Sequence, residues 1–298
     1  MLNENRESAA AKINLCLFVG GPRADGRHEL VTLFESIDLS DELVFTPAPA
    51  GEDEVVCPGV SGENLVTQAL AGLRAAGWAA PPVRVEIGKR IPVAAGMGGG
   101  SADAAAMLRF APRLSPVPVA ALEAIAAGLG ADVPSRLAGG PSLGTGAGEI
   151  VAAVPNLDDH SVLVLPQPFG LSTADVYREA DRLELPRSAG ELADLRLALE
   201  ATLVACEHVP QPLPERLILN DLQPAALSLA PEIGVALELA REAGAEQALV
   251  CGSGPSVIGI FWGSDGLRRA EGAAKRLRGR FSGAAASGVT RGAVLASS

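Results

Sequence analysis

In residues 11–20, AKINLCLFVG, every second position is aliphatic: Ile13, Leu15, Leu17 and Val19 share one face of an extended chain, and Lys12, Asn14, Cys16 and Phe18 share the other. This period of two predicts a strand that points Lys12 and Asn14 the same way. A turn-forming run, GGPRADGRH, leads to a second apolar and acidic stretch, TLFESIDLSDELVF, which reads as strand, and residues 83–91, VRVEIGKRI, alternate again. Between them, Leu65, Ala69, Leu70 and Leu73 have helical spacing within residues 64–77, and Gly77 closes the helix. Further helices are predicted at residues 101–110, 119–129 and 134–137. The first half therefore reads as α+β.

The second half offers a strand, SVLVLP, then a helix beginning near Ser172 and another over residues 190–208. A long helix follows over 222–243, closed by Gly244, then two short strands, ALVC and VIGIFW, around a GSGPS turn, a helix over 265–279 and a last strand near Ala293. Strands interleaved with helices, without a sustained βαβ repeat, predict an antiparallel sheet covered by helices. The polar stretch 154–159 between apolar flanks is the expected boundary, dividing the chain into domains 1–155 and 156–298.

Composition narrows the function. A 298-residue chain that is 48% hydrophobic and 20% charged has a folded, globular make-up, which excludes a disordered or collagenous chain. With 24 basic against 35 acidic residues the net charge is −11, which argues against broad contact with nucleic acid or an anionic membrane. Any phosphate must be held locally. Four cysteines without a CxxC pair, and three histidines, argue against a zinc site, so no metal ligands are assigned. The first residues lack the apolar core of a signal peptide, and the longest uncharged stretch, residues 247–264, is broken by GSGPS; the expectation is a cytoplasmic protein with reduced thiols.

Lysine is scarce: Lys12, Lys89 and Lys275 stand among 24 basic residues, the rest arginine. Inside an apolar strand Lys12 is either an edge charge in water or a compact point charge doing what a rigid guanidinium cannot. The strongest chemical signal is PVAAGMGGGSADAAAMLRF, in which Gly96, Gly98, Gly99 and Gly100 precede a predicted helix starting near Ser101. Glycines let backbone approach a ligand, and their N–H groups with the helix's first turn form an anion nest. No GK[ST] follows, so this is not a Walker loop, and the spacing is not that of a dinucleotide fold. In LGADVPSRLAGG, Asp132 fits either a helix N-cap or a catalytic carboxylate. A third glycine turn, VCGSGPSV, is either a plain hairpin or a cover for the same ligand.

Taken in order, AKINLCL, RADGRHEL, PVAAGMGGGSADAAA, GADVP and GSGPS resemble the kinases of the GHMP superfamily over almost the whole chain. The pairing of AKINL with DGxH resembles the branch that phosphorylates the 2-hydroxyl of a cytidine-diphosphate-linked methylerythritol in isoprenoid precursor synthesis. The resemblance implies a two-domain α+β fold with the substrates in a cleft between the halves. It implies Lys12 and Asp132 as the catalytic pair, with Asp132 taking the hydroxyl proton. It implies an ATP loop of Pro92, Val93, Ala94, Ala95, Gly96, Met97, Gly98, Gly99, Gly100, Ser101 and Ala102, with Mg²⁺ bridging the phosphates. For the cytidine diphosphate substrate it implies Asn14, His28, Thr173 and Tyr177, the last stacking on the base.

Two places depart from the pattern. Arg27 stands where an aromatic residue is usual before His28, and is counted with the substrate residues as a planar group that can stack in its place; Ser135 and Arg136 follow GADVP where phenylalanine is usual. A kinase for a different alcohol and a non-catalytic nucleotide-binding protein on the same fold are the alternatives. Nothing in the sequence sets an oligomeric state.

Overall fold

The computed structural model describes residues 5–60, 62–281 and 284–288. Two long strands, β1 (Arg6–Pro22) and β2 (His28–Pro47), form an antiparallel hairpin. Then come β3 (Glu54–Val56), α1 (Leu65–Ala75), β4 (Val83–Gly88), α2 (Gly99–Leu114), α3 (Val119–Leu129), α4 (Val133–Ala138), β5 (Ser142–Thr145) and β6 (Ile150–Ala153). The second half runs β7 (His160–Leu165), α5 (Thr173–Arg182), α6 (Ala189–Cys206), a 3₁₀ turn at Glu215–Leu217, α7 (Gln223–Leu229), α8 (Ile233–Glu242), β8 (Gln247–Val250), β9 (Val257–Trp262), α9 (Gly266–Leu277) and β10 (Ala285–Gly288).

Among the described residues the first sheet has six strands in the order β3-β4-β2-β5-β6, with β1 also paired to β2. The second is β10-β7-β9-β8, antiparallel throughout as the sequence predicts. The main apolar core lies under the first sheet, where the alanines of α2 are small enough for the helix to pack closely; Ala104, Ala105 and Ala106 are fully buried beside Phe110 and Ile13. A second core, around Leu163, Val250, Phe261 and Ala270, lies under the C-terminal sheet.

Within residues 11–20 the alternation of faces fails at one residue. Asn14 pairs with Phe34 but Cys16 with Leu33, so Leu15 is the extra residue of a bulge. Beyond it the faces exchange: Cys16 and Phe18 join Ile13 and Leu15 in the main core, and Leu17 and Val19 form a separate cluster with Leu30, Val176 and Leu222. The bulge therefore continues the Lys12 and Asn14 face with aliphatic Leu17. The outer edge of β1 is covered by the second half, since Leu17 N–H donates to Leu219 O at 2.8 Å and Asp221 N–H to Leu17 O at 2.9 Å.

Other expectations need correction. The helix predicted over 222–243 is two helices, α7 and α8, because Pro231 has no N–H to donate and its ring crowds the preceding turn. Strands β3, β5 and β6 have no alternating run to announce them. In β5, Gly144 lies under the Phe34 ring, where a Cβ would come within 2.6 Å of it. The last strand predicted near Ala293 lies outside the described residues; the one observed is β10.

Candidate active site

A cleft of about 950 Å³ opens between the β1–β2 hairpin, the glycine loop, α4, α5 and the turn before β9. Lys12 and Asn14 project into it from β1 although only 5% and 2% exposed. A short chain of hydrogen bonds fixes them: Lys12 Nζ donates to Asn14 Oδ1 at 2.7 Å, Asn14 Nδ2 to Thr32 Oγ1 at 2.7 Å, and Thr32 Oγ1 to the Cys16 carbonyl at 2.6 Å. The ammonium is thereby aimed at Asp132, whose Oδ2 lies 3.7 Å from Nζ.

Asp132 occupies the N-cap position of α4, but its side chain makes no cap hydrogen bond. Of the two readings open in the sequence, the geometry removes the cap. The carboxylate faces the cleft and Lys12 instead.

The glycine loop is a nest with a helix behind it. Ala94, Gly96 and Gly98 are left-handed, at φ 54°, 79° and 63°, with negative φ between them, an alternation that turns successive N–H groups to one side. Gly98 begins α2 without a side-chain cap, so the first-turn N–H groups of Gly99, Gly100 and Ser101 remain free for an anion. At two of its glycines the loop leaves little room for a side chain: a Cβ at Gly96 would lie 2.1 Å from Cys251 O, and one at Gly98 3.0 Å from Lys12 Cγ. Lys12 N–H itself donates to Met97 O at 3.0 Å, tying the loop to β1. Of the loop residues named from the sequence, Met97 and Ala102 do not line the cleft; each is 1% exposed and packs into the core beneath it.

The VCGSGPSV turn packs against the glycine loop and lines the cleft through Gly252 and Ser253. Asn220 donates both amide hydrogens to it, to Val250 O and Gly252 O at 2.7 Å each, and a Cβ on Gly252 would fall 3.1 Å from Lys12 Nζ. Ser253 Oγ shares a 3.0 Å hydrogen bond with Thr173 Oγ1 at the mouth.

At the other end of the cleft, His28 and Tyr177 lie with ring centroids 5.0 Å apart, beside Leu17, Leu30 and Leu222. His28 Nε2 is 2.8 Å from Asp181 Oδ1. Burial pushes the Tyr177 hydroxyl well above the usual phenol range, so it stays protonated. Arg27 lines the rim but is half exposed, and its Nε and Nη2 donate to Asp25 Oδ2 at 3.2 and 3.0 Å. The motifs of the sequence do not single out Thr32, Asp181, Asn220 or Lys89. Lys89 has a signal, being one of only three lysines and immediately upstream of the loop; the others depend on register and tertiary contact.

Beside the loop, Lys89 sits between Asp41 and Asp103, donating to Asp103 Oδ2 at 2.8 Å and to Asp41 Oδ2. Burial raises the Asp103 pKa to about 7 against the opposing pull of Lys89, with Asp41 adding to the rise. Among the described residues no group of three or more His, Cys, Asp or Glu side chains is placed to hold a metal ion, and no helix is long and apolar enough to cross a membrane.

This geometry has known relatives. Residues 64–142 match the GHMP kinases N terminal domain and residues 211–282 the GHMP kinases C terminal. The chain is 40% identical over 300 residues to 4-diphosphocytidyl-2-C-methyl-D-erythritol kinase of Streptomyces coelicolor, covering 94% of this chain and 97% of that one. It is 43% identical over 260 residues to the enzyme of that name from Rhodococcus jostii, covering 83% and 81%. A crystal structure of 4-(cytidine 5'-diphospho)-2C-methyl-D-erythritol kinase superposes with TM-score 0.74 at 33% identity, over 97% of this chain and all of that one. L. major mevalonate kinase, 14% identical at TM-score 0.68, shares the fold. With its two halves matching the two GHMP kinase domains and relatives 40% and 43% identical over most of its length, this chain belongs to the GHMP kinase family, beside the 4-diphosphocytidyl-2-C-methyl-D-erythritol kinases.

Proposed function

We propose that the chain transfers the γ-phosphoryl group of MgATP to the 2-hydroxyl of 4-diphosphocytidyl-2-C-methyl-D-erythritol. The observation that carries this reading is the 3.7 Å approach of Lys12 to Asp132 in the cleft lined by the glycine loop. The loop and the first turn of α2 receive the ATP phosphates on N–H groups no side chain has satisfied. The Mg²⁺ arrives with the nucleotide as part of the substrate, neutralising phosphate charge.

Phosphoryl transfer asks the protein chiefly for alignment and charge compensation. The acceptor O–H bond breaks as its oxygen forms a bond to the γ-phosphorus, the bond from that phosphorus to the β–γ bridging oxygen breaks, and ADP leaves. Asp132 accepts the proton. Lys12, held by Asn14 and Thr32, stabilises the negative charge that develops on the attacking oxygen. The cytidine end lies toward His28, Tyr177 and Thr173, with Tyr177 as the stacking ring and Arg27 at the rim. In this reading residues 1–155 and 156–298 are two domains that wall the cleft from either side.

The test is ADP release with the cytidine substrate, measured against mevalonate and homoserine. Turnover with the first and background with the others is expected. Equal or better turnover with another alcohol assigns the chain a different acceptor, and nucleotide binding without turnover of any makes it a non-catalytic member.

A further inference from the structure

Among the described residues one arginine is fully withdrawn from solvent and forms no ion pair. Arg136, in the last turn of α4, is 3% exposed. Its Nη1 donates to Ser36 Oγ at 2.7 Å, its Nε faces Ser135 Oγ at 3.4 Å, and its Nη2 is buried without a partner. Burial pulls its pKa down to about 10, opposed by the negative charge of Asp132, and the nearby Arg109 lowers it further; it is still a cation at neutral pH. Burying a charge without a counter-ion is costly, and an apolar side chain of similar volume commonly serves stability better.

The anchors of this guanidinium belong to the catalytic pair. Ser36 is the ladder partner of Lys12. Ser135 Oγ donates to the Asp132 carbonyl at 2.8 Å. One side chain thus bridges the strand opposite Lys12 and the turn that carries Asp132.

We propose that Arg136 is a positioning residue for phosphoryl transfer: it pins α4 to β2 and places a second buried positive charge one helical turn from Asp132. This rests on the reading of Asp132 as the base. In a water-poor site a fixed charge acts strongly and needs no reorganisation during reaction. Loss of that charge disturbs the transfer step more than the binding of either substrate.

Two variants separate charge from shape. Arg136→Gln retains hydrogen-bond donors for Ser36 and Ser135 without charge, and Arg136→Lys retains charge. Expected is a fall in kcat of about 10-fold for Arg136→Gln, with KM for ATP and for the cytidine substrate within about 2-fold of wild type and most of kcat recovered in Arg136→Lys. Where Arg136→Gln does not fold, Arg136→Met, apolar and of similar reach, gives the same reading. Wild-type kcat in a folded uncharged variant overturns the proposal, and so does an equal loss in the lysine and uncharged variants. Asp132→Asn, run alongside, keeps the failures distinct. If it is inactive while Arg136→Gln turns over normally, only the role of Arg136 falls; if it keeps full turnover, the base reading itself has failed and the proposal with it.

Discussion

Lys12 is held closely where it enters the cleft: Cγ lies against Gly98, Nζ against Gly252, and the ammonium donates to Asn14. The alternation of residues 11–20 and the scarcity of lysine make Lys12 and Asn14 legible in the sequence. Thr32 is not, since its place beneath Asn14 depends on which residues of β1 and β2 face each other. The close fit makes the side chain's shape as important as its charge. A longer, forked guanidinium at this position would need space that Gly98 and Gly252 have already closed. Lys12→Arg is therefore expected to lower kcat by about 10²-fold or more with the charge retained, read by steady-state kinetics beside a melting curve. Near-wild-type kcat in that variant would show that any cation serves. At the far end, stacking on a single base is worth about 1 to 3 kcal/mol, so Tyr177→Ala is expected to raise KM for the cytidine substrate about 5- to 150-fold and leave KM for ATP alone. Arg27 is tied to Asp25, and Arg27→Ala is expected to have the smaller effect in the same assay.

Elements are legible in the sequence where one physical rule governs them. Helix α1 is announced by its apolar spacing, and Asn64 caps it, accepting from Val66 N–H at 2.8 Å. Helix α3 matches its expected span to both ends. The rule fails where two compete: the apolar spacing of residues 222–243 conceals the break at Pro231, and the alternation of β1 conceals the bulge at Leu15. Short strands such as β5 owe their conformation to β2 and carry no pattern of their own. One contact between the two sheets has a measurable consequence. His160 on β7 meets Glu35 on β2, with Nε2 2.6 Å from Oε2, and Nδ1 2.8 Å from the Asp158 carbonyl. Burial alone would lower the His160 pKa, but Glu35 and the hydrogen bonds outweigh it and raise the value above 6.5. A raised folded pKa means the charged pair contributes its full stability below about pH 6.5 and loses it as pH rises through the folded value. The Tm difference between wild type and His160→Gln is therefore expected to be largest at acid pH and to shrink toward alkaline pH. A difference that grows with pH would contradict a protonated His160.

At the scale of the molecule, the glycine loop from the first half and the GSGPS turn from the second meet at Gly96 and Cys251 and close one cleft around Lys12 and Asp132. The order of motifs along the chain announces the fold, but not that the second turn seals the first, which only the folded chain brings together. The contact is too close for any side chain at Gly96, whose φ is also left-handed, so Gly96→Ala is expected to part the two segments and weaken ATP binding, measured by calorimetric titration. The most direct test falls on Asp132, which stands at a helix start without capping it. In Asp132→Asn, the single-turnover rate at saturating ATP and cytidine substrate is expected to fall by about 10²-fold or more, with Tm and both substrate affinities close to wild type. A rate above about a tenth of wild type in a fully folded, substrate-saturated variant would contradict a proton transfer to Asp132.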